Sequence, residues 1–452
     1  MAAMTQMARD DFGTDFTWGV AHASYQVEGA WDADGKGPSI WDTFTERPRK
    51  IRDKTDGKVA CDFYHRYQED TDLVRELGFD AQRFSISWPR VLPQGTGKIN
   101  QAGLDFYSRV VDACLEAGVA PWVTLYHWDL PQALHERGGW PDRSILGWFE
   151  EYVGVVTEAL GDRVKDWMVF NEPCSFLHGG YLGGVHAPGV RSLRKVLAAT
   201  HHVNLCQAIG AKVIRANVPD ANVGTTHIIT PPRLDGDTAK HHRAARSFDA
   251  SANRIFIEPN FGLGYPVDDS PWIGGVERYV KAGDDQAVVV DFDFIGVQYY
   301  QRLLVRPAPI PFFHALPKQS KDHRNFEIIA MGWEVQPEGL YEAIEQVHAY
   351  GKVPRLYVTE NGAAYPDQVE DDGSIHDERR TAYYRSHLGQ VAKAVADGLP
   401  VHGYFCWSLM DNFEWAEGYL PRFGLTHVDF ATQQRTIKDS GYWFQQFLGP
   451  RS

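Results

Sequence analysis

Short apolar runs alternate with longer amphipathic stretches along the whole chain. The runs FTWGVA (16–21), AQRFSISW (81–88), APWVTLYHW (120–128) and DWMVFNE (166–172) are followed by NVGTTHII (222–229), FIGVQYY (294–300), RLYVTE (355–360) and VHGYFCW (401–407). Each is a short run of β-branched or aromatic residues, as strands buried on both faces are. The stretches between them carry a helical period. In 104–118, Leu104, Tyr107, Val110, Val111, Cys114 and Leu115 share one 3.6-residue face, and Gly118 follows as a stop. Residues 66–78 and 381–398 read the same way, the latter ended by Gly398 and Pro400.

Eight such strands separated by helices predict parallel βα units, closed either as an open doubly wound sheet or as a (β/α)8 barrel. Eight units, with polar residues at the C-terminal ends of most strands, favour an α/β fold with a single (β/α)8 TIM barrel. A typical barrel takes ~250 residues, so a chain of 452 residues carries long βα-loop insertions, expected in the gaps 22–80, 173–221 and 301–354. No linker or low-complexity run divides the chain. The expectation is therefore one domain over 1–452, with 1–14 a flexible N-terminal tail. Neither GxGxxG after the first strand nor GxxxxGK[ST] is present, which removes support for a nucleotide-binding sheet.

Composition narrows the classes further. Apolar residues make up 43% and charged residues 23%, as in a soluble globular enzyme. The net charge of −14 is spread along the chain and disfavours nucleic acid, which needs a basic stripe. No run of ~18 apolar residues predicts a membrane span, and the first residues do not read as a secretory signal. Five scattered cysteines, Cys61, Cys114, Cys174, Cys206 and Cys406, without CxxC, suit a reducing cytoplasm. There is no HExxH, and the pairs His201-His202 and His241-His242 are adjacent rather than helically spaced, so no metal or other cofactor is expected. The 14 Trp, several beside polar turn residues, hint at a stacking surface for a flat apolar face such as a sugar presents.

Candidate chemistry lies where the strands stop. The first runs into Gln26, the third ends at His127-Trp128, the fourth at Asn171-Glu172-Pro173, and the sixth at Gln298-Tyr299-Tyr300. The seventh ends at Glu360-Asn361-Gly362, and the eighth at Trp407, followed by Glu414-Trp415. In a barrel these points converge on one rim, where barrel active sites form. Glu172 and Glu360 each follow an apolar strand directly, a costly place for an unused carboxylate. Composition and spacing leave two readings: an acid/base and nucleophile pair, or two separate ion pairs at the barrel mouth.

The motifs speak for the first. VFNEP (169–173) and VTENG (358–362), with ASYQVEGA (23–30), QRFSISWPR (82–90), LYHWDLP (125–131), HAPG (186–189) and WSLMDNFEWAEGY (407–419), resemble in order and spacing the family-1 glycoside hydrolases, the β-glucosidase family, from about Phe16 to about Phe447. The resemblance implies a retaining β-glycosidase that removes the non-reducing terminal sugar of neutral β-glucosides through a covalent glycosyl-enzyme, with transglycosylation as an accompanying reaction. Its partner would be a small-molecule β-glycoside or short oligosaccharide. Glu172 would be the acid/base and Glu360 the nucleophile. Gln26, His127, Asn171 and Glu414 would bind sugar hydroxyls. Trp128 and Gln298 would also contact the substrate, Trp407 would be the stacking floor, and Trp415 would meet the 3-hydroxyl. Trp333 would line the leaving-group side, while Tyr300 and Arg83 would orient Glu360 and favour its ionised form.

Two departures stand out. Most members have Asn where this chain has Gln298, and many carry a bulky aromatic where it has Cys174, which would open the leaving-group side. Cys174 as a nucleophile is disfavoured, since the sequence suggests no partner histidine for it. A 6-phospho-β-glycosidase would replace Glu414 and add a phosphate clamp, and a non-catalytic sugar-binding barrel would lose one carboxylate; neither pattern is found. Glucose, galactose and fucose stay unranked as the glycone, with β-galactosidase or β-fucosidase preference the alternative within the family, and oligomeric state is left open.

Overall fold

A computed structural model describes residues 7–310, 313–318 and 325–449. Eight strands form a closed parallel barrel: β1 (Thr17–Ala21), β2 (Ala81–Ser85), β3 (Ala120–Tyr126), β4 (Asp166–Asn171), β5 (Asn222–Ile228), β6 (Phe294–Gln298), β7 (Leu356–Asn361) and β8 (Val401–Trp407). All eight predicted runs are barrel strands. Closure falls between β1 and β8, where Thr17 pairs with Gly403 and Ala21 with Trp407. The run at 81–88 is strand only to Ser85; Trp88 turns into a short helix, Trp88–Val91, and stacks on Tyr152 at 4.6 Å.

Helices α1 (Phe63–Glu76), α2 (Gln101–Glu116) and α3 (Ile145–Leu160) follow β1, β2 and β3, and α4 (Leu193–Asn217) follows β4. Further on come α5 (Ala239–Ala252), α6 (Glu338–His348), α7 (Glu378–Ala396) and α8 (Asp439–Leu448). The three helices read from the sequence each start three residues earlier than read, at Phe63, Gln101 and Glu378. Helix ends are the part that periodicity registers least well; the turns at Gln101 and Glu378 are mainly polar, whereas Phe63 and Tyr64 are buried from the start of α1. The gap at 301–354 holds a small outer sheet, in which Leu303–Ile310 pairs with Phe313–Pro317 and with Pro232–Leu234.

The expected tail is corrected in part. Residues 1–6 lie outside the described residues, but Arg9–Phe12 forms a helical turn. Phe12 is buried against Phe16, Trp18 and Phe447, and Arg9 pairs with Asp80 at 3.0 Å. The aromatic side chain, not the polar residues around it, decides where that segment goes.

The barrel floor is shut. Trp122 of β3 lies 5.5 Å from Phe294 of β6, 4.9 Å from Tyr357 of β7 and 5.0 Å from Phe405 of β8, ring centre to ring centre. Four aromatic rings fill the interior at this level, so the barrel is a packed core open only at the C-terminal ends of its strands.

Candidate active site

Both glutamates sit just past an irregularity in their strands. The β4–β5 register shifts between Met168 and Asn171, and the β6–β7 register shifts between Val358 and Glu360. Such shifts at a barrel rim re-aim side chains that strict alternation would point elsewhere. Glu172 then has left-handed backbone, φ 45° and ψ 71°, as the cap of a short helix, Pro173–Leu177. Trp128 (φ 79°) and Trp415 (φ 45°) share that region. Three non-glycine residues so placed, each costing on the order of 1–3 kcal/mol, mark a rim held in shape by its surroundings. Gly362 is required for a different reason. A Cβ there would lie 1.8 Å from the carbonyl oxygen of Trp407, so only glycine lets the chain after Glu360 pass beside β8.

The two carboxyls have unequal neighbours. Arg83 Nη1 donates to Glu360 Oε1 at 2.5 Å, and Tyr300 donates to Oε2 at 2.9 Å. Glu172 Oε2 accepts from Ser175 Oγ at 2.7 Å, while its Oε1 is buried with no partner in the protein. Burial first, and then the charge of Glu360, push the Glu172 carboxyl up to about 8. Burial also raises Glu360, but Arg83, Tyr300 and Gln298 oppose it, so Glu172 is the member that keeps its proton.

Asn171 is fixed by three donors to its Oδ1: Arg83 Nη2 at 2.5 Å, Gln298 Nε2 at 2.7 Å and Thr226 Oγ1 at 3.2 Å. That directs its Nδ2 at His127 Nε2, 2.9 Å away. Burial and the nearby Arg83 charge hold His127 well below its usual range and so neutral.

These groups open onto one cavity of about 200 Å³. Glu172, Glu360, His127, Asn171 and Tyr300 form part of its wall, as do Trp128, Trp333, Trp407, Glu414 and Trp415. The aromatics form a box: Trp415 packs on Trp128 at 4.4 Å and on Trp41 at 4.6 Å. Gln26, Arg83 and Gln298 are fully buried behind that wall. Gln26 Nε2 donates to Asn412 Oδ1 at 3.0 Å and Phe413 O at 2.9 Å, which leaves its Oε1 without a protein partner. Burial, followed by Glu360 and Glu417, pushes Glu414 up to about 8.

Sequence reasoning missed several wall residues: Ser175, His186, Ile228, Met331, Ala416, Glu417 and Phe423. Most come from loops, where no apolar period points inward. His186 lies in HAPG, and Ala416 and Glu417 in WSLMDNFEWAEGY, without being singled out there; Ser175 lies three residues beyond Glu172 at the start of a Pro-led helix, where its hydroxyl reaches the Glu172 carboxyl. Cys174 does have a histidine partner, contrary to expectation: its Sγ lies 3.4 Å from His178 Nδ1. Burial pushes the thiol up to about 12 and holds the imidazole near 4, so the proton stays on sulfur and no thiolate nucleophile forms.

A (β/α)8 barrel with two buried, unequal carboxyls facing an aromatic-walled cavity has the parts that glycoside hydrolysis uses. The model of glycosyl hydrolase family 1 matches residues 8–451. The chain is 44% identical over 441 residues to β-glucosidase A of Thermotoga maritima, covering 97% of each. It is 40% identical over 445 residues to β-glucosidase A of Acetivibrio thermocellus, covering 98% of this chain and 99% of that one. The T. maritima β-glucosidase solved in complex with cyclophellitol superposes with a TM-score of 0.90 at 43% identity, covering 96% of this chain and 98% of that one. The chain belongs to glycosyl hydrolase family 1. It is a glycoside hydrolase of the retaining, β-glucosidase type.

Proposed function

We propose that the protein hydrolyses neutral β-glucosides by double displacement, with Glu360 as nucleophile and Glu172 as acid/base. The inequality of the two carboxyls carries this reading. Glu360, held by Arg83 and Tyr300, is the member that ionises and can attack the anomeric carbon. Glu172, buried and raised, is the member with a proton to give. In the first step the carboxylate of Glu360 bonds to the anomeric carbon, the glycosidic bond breaks, and the Glu172 proton passes to the departing oxygen. In the second step Glu172 takes a proton from water, whose oxygen displaces Glu360 and returns the sugar with its original anomeric configuration.

The unpartnered Glu172 Oε1 and Gln26 Oε1 are polar atoms that a bound sugar and its leaving group would satisfy. Trp407 is the floor, Glu414 and Gln26 bind sugar hydroxyls together, and Asn171 and His127 present a second polar edge. No Lys or Arg lines the cavity among the described residues, so a sugar 6-phosphate would find no counter-charge there. No helix among the described residues is long and apolar enough to cross a membrane. The five unpaired cysteines support a reducing, cytoplasmic setting.

The test is turnover of 4-nitrophenyl β-glucoside beside its 6-phosphate, with the anomer of the first-formed sugar followed by NMR. The neutral glucoside should be much the better substrate and release β-glucose first. Initial release of the α anomer, or preference for the phosphate, would overturn this reading.

A further inference from the structure

The loops after β1 and β4 meet beside the cavity, and the charge there is opposite to that of the whole molecule. The chain carries −14, yet residues 47–54, RPRKIRDK, hold five cations and one acid. Three cations are fastened to one turn of the β4 loop. Arg47 Nη1 donates to Pro188 O at 2.9 Å, Lys50 Nζ to Gly184 O at 3.1 Å, and Arg191 Nε to Gly183 O at 3.0 Å. His186, within that turn, lines the cavity beside Glu172. Its Nδ1 is buried without a partner, and burial holds the ring neutral.

The same cations connect to the cavity through aromatic packing. Lys50 Nζ lies 5.1 Å and Arg47 Cζ 6.0 Å from the centre of the Phe44 ring. Phe44 meets Trp41 edge-on at 5.4 Å, and Trp41 packs on the wall residue Trp415 at 4.6 Å. The nearby acids are already engaged. Glu417 pairs with Arg52 at 2.8 Å and Glu46 with Lys58 at 3.2 Å, and Asp53 accepts from Thr55 and from the Tyr419 amide. Among the described residues Arg47, Lys50 and Arg191 form no ion pair. After burial, it is Lys195 and Arg47 that lower the His135 pKa, so Lys195 adds to the same field.

We propose that this cluster seats an anionic end of the leaving group, so that the enzyme acts on β-glucosides whose aglycone carries a carboxylate. Two guanidiniums with nitrogens to spare offer the planar fork that a carboxylate fits. The His186 edge is a polar step on the way from Glu172. The inference rests on the proposed β-glucoside activity and gives it a leaving-group class.

The experiment compares 4-carboxyphenyl β-glucoside with its neutral isostere, 4-carbamoylphenyl β-glucoside, with 4-nitrophenyl β-glucoside alongside. The readout is the carboxyl-to-carbamoyl ratio of kcat/KM. Raising NaCl from about 20 mM to about 0.5 M should lower that ratio roughly three- to tenfold, because Arg47 and Arg191 are exposed, Lys50 is half-buried, and salt screens such charges. In the triple variant Arg47→Gln, Lys50→Gln, Arg191→Gln the low-salt ratio should fall to the high-salt value of the parent. Should the triple variant fail to melt cooperatively, Arg191→Gln alone should move the ratio part of the way. A ratio indifferent to salt in the parent protein, or equally salt-sensitive in the variants, overturns the proposal while leaving β-glucoside hydrolysis standing. Absence of turnover on all three glucosides overturns both.

Discussion

Arg83 ties Glu360 to Asn171: one guanidinium donates Nη1 to Glu360 Oε1 and Nη2 to Asn171 Oδ1, each at 2.5 Å. The fork aligns the proposed nucleophile with a residue of the sugar-binding edge and supplies the positive charge nearest Glu360. Lysine cannot span both acceptors. Arg83→Lys should lose one charge-assisted hydrogen bond, lowering kcat roughly 10- to 100-fold. With less opposing charge the Glu360 pKa rises, and because attack needs the ionised form, the acid limb of the pH–rate profile should move to higher pH. Steady-state rates across pH check both; an unmoved acid limb would mean Arg83 does not set Glu360 ionisation.

The sequence exposes Glu172 and Glu360 because each follows an apolar strand directly, whereas Arg83 is marked only by the resemblance of QRFSISWPR to the family's motif. It does not reveal that register shifts at Asn171 and Glu360 turn these ends inward, since a shift depends on the neighbouring strand. Nor does it separate layers. Gln298 and Tyr300 are two residues apart, yet Tyr300 lines the cavity and Gln298 lies behind it, at the turn where β6 ends. His186, marked only as part of HAPG, packs on Trp41 and Trp128, and Phe423 packs on Tyr300, long-range contacts that no apolar period in their loops encodes.

Ser175 gives a signed prediction for the other limb. Its hydroxyl donates to Glu172 Oε2 at 2.7 Å and lowers a pKa that burial has raised to about 8. Removing that donor in Ser175→Ala favours the protonated acid. Leaving-group departure needs that proton, so the alkaline limb should move upward by roughly 0.5–1 pH unit. Ser175→Thr should restore it. A limb that moves down would show the hydroxyl acting on the neutral acid instead.

Gln298 reaches Asn171 Oδ1 at 2.7 Å from the end of β6. Gln298→Asn shortens that reach by one methylene, so Asn171 loses one of three donors and Glu360 loses a neighbour that opposes its raised pKa. The relative kcat/KM for glucosides, galactosides and fucosides should change without loss of turnover. Identical kinetics on all three sugars would show that the contact is dispensable.

The loop bearing Glu414 and Trp415 is anchored by Asp411, which accepts from Arg422 Nη1 at 2.7 Å, Lys438 Nζ at 2.7 Å and the Gly424 amide at 2.9 Å. Asp411→Asn leaves the buried Lys438 with less compensation and should cost about 3–5 kcal/mol of stability. Thermal melting checks it, and a melting temperature equal to that of the parent would contradict the anchoring role.

The roles proposed for the two glutamates separate by chemical rescue. Glu172→Ala keeps the nucleophile and removes the acid and the later base. An activated aryl glucoside needs little protonation to leave, so the glycosyl-enzyme should still form. Azide requires no base and should attack that intermediate from the face the aglycone left, giving a β-glycosyl azide. Glu360→Gly instead opens a hole beneath the anomeric carbon, beside Arg83 and Tyr300. Azide in that hole should displace the leaving group in one inverting step, giving an α-glycosyl azide. One β-substrate must therefore yield opposite anomers from the two variants, read by NMR of the isolated azides. An α product from Glu172→Ala with a β product from Glu360→Gly would reverse the assignment, and full activity in both variants would remove the pair from the chemistry.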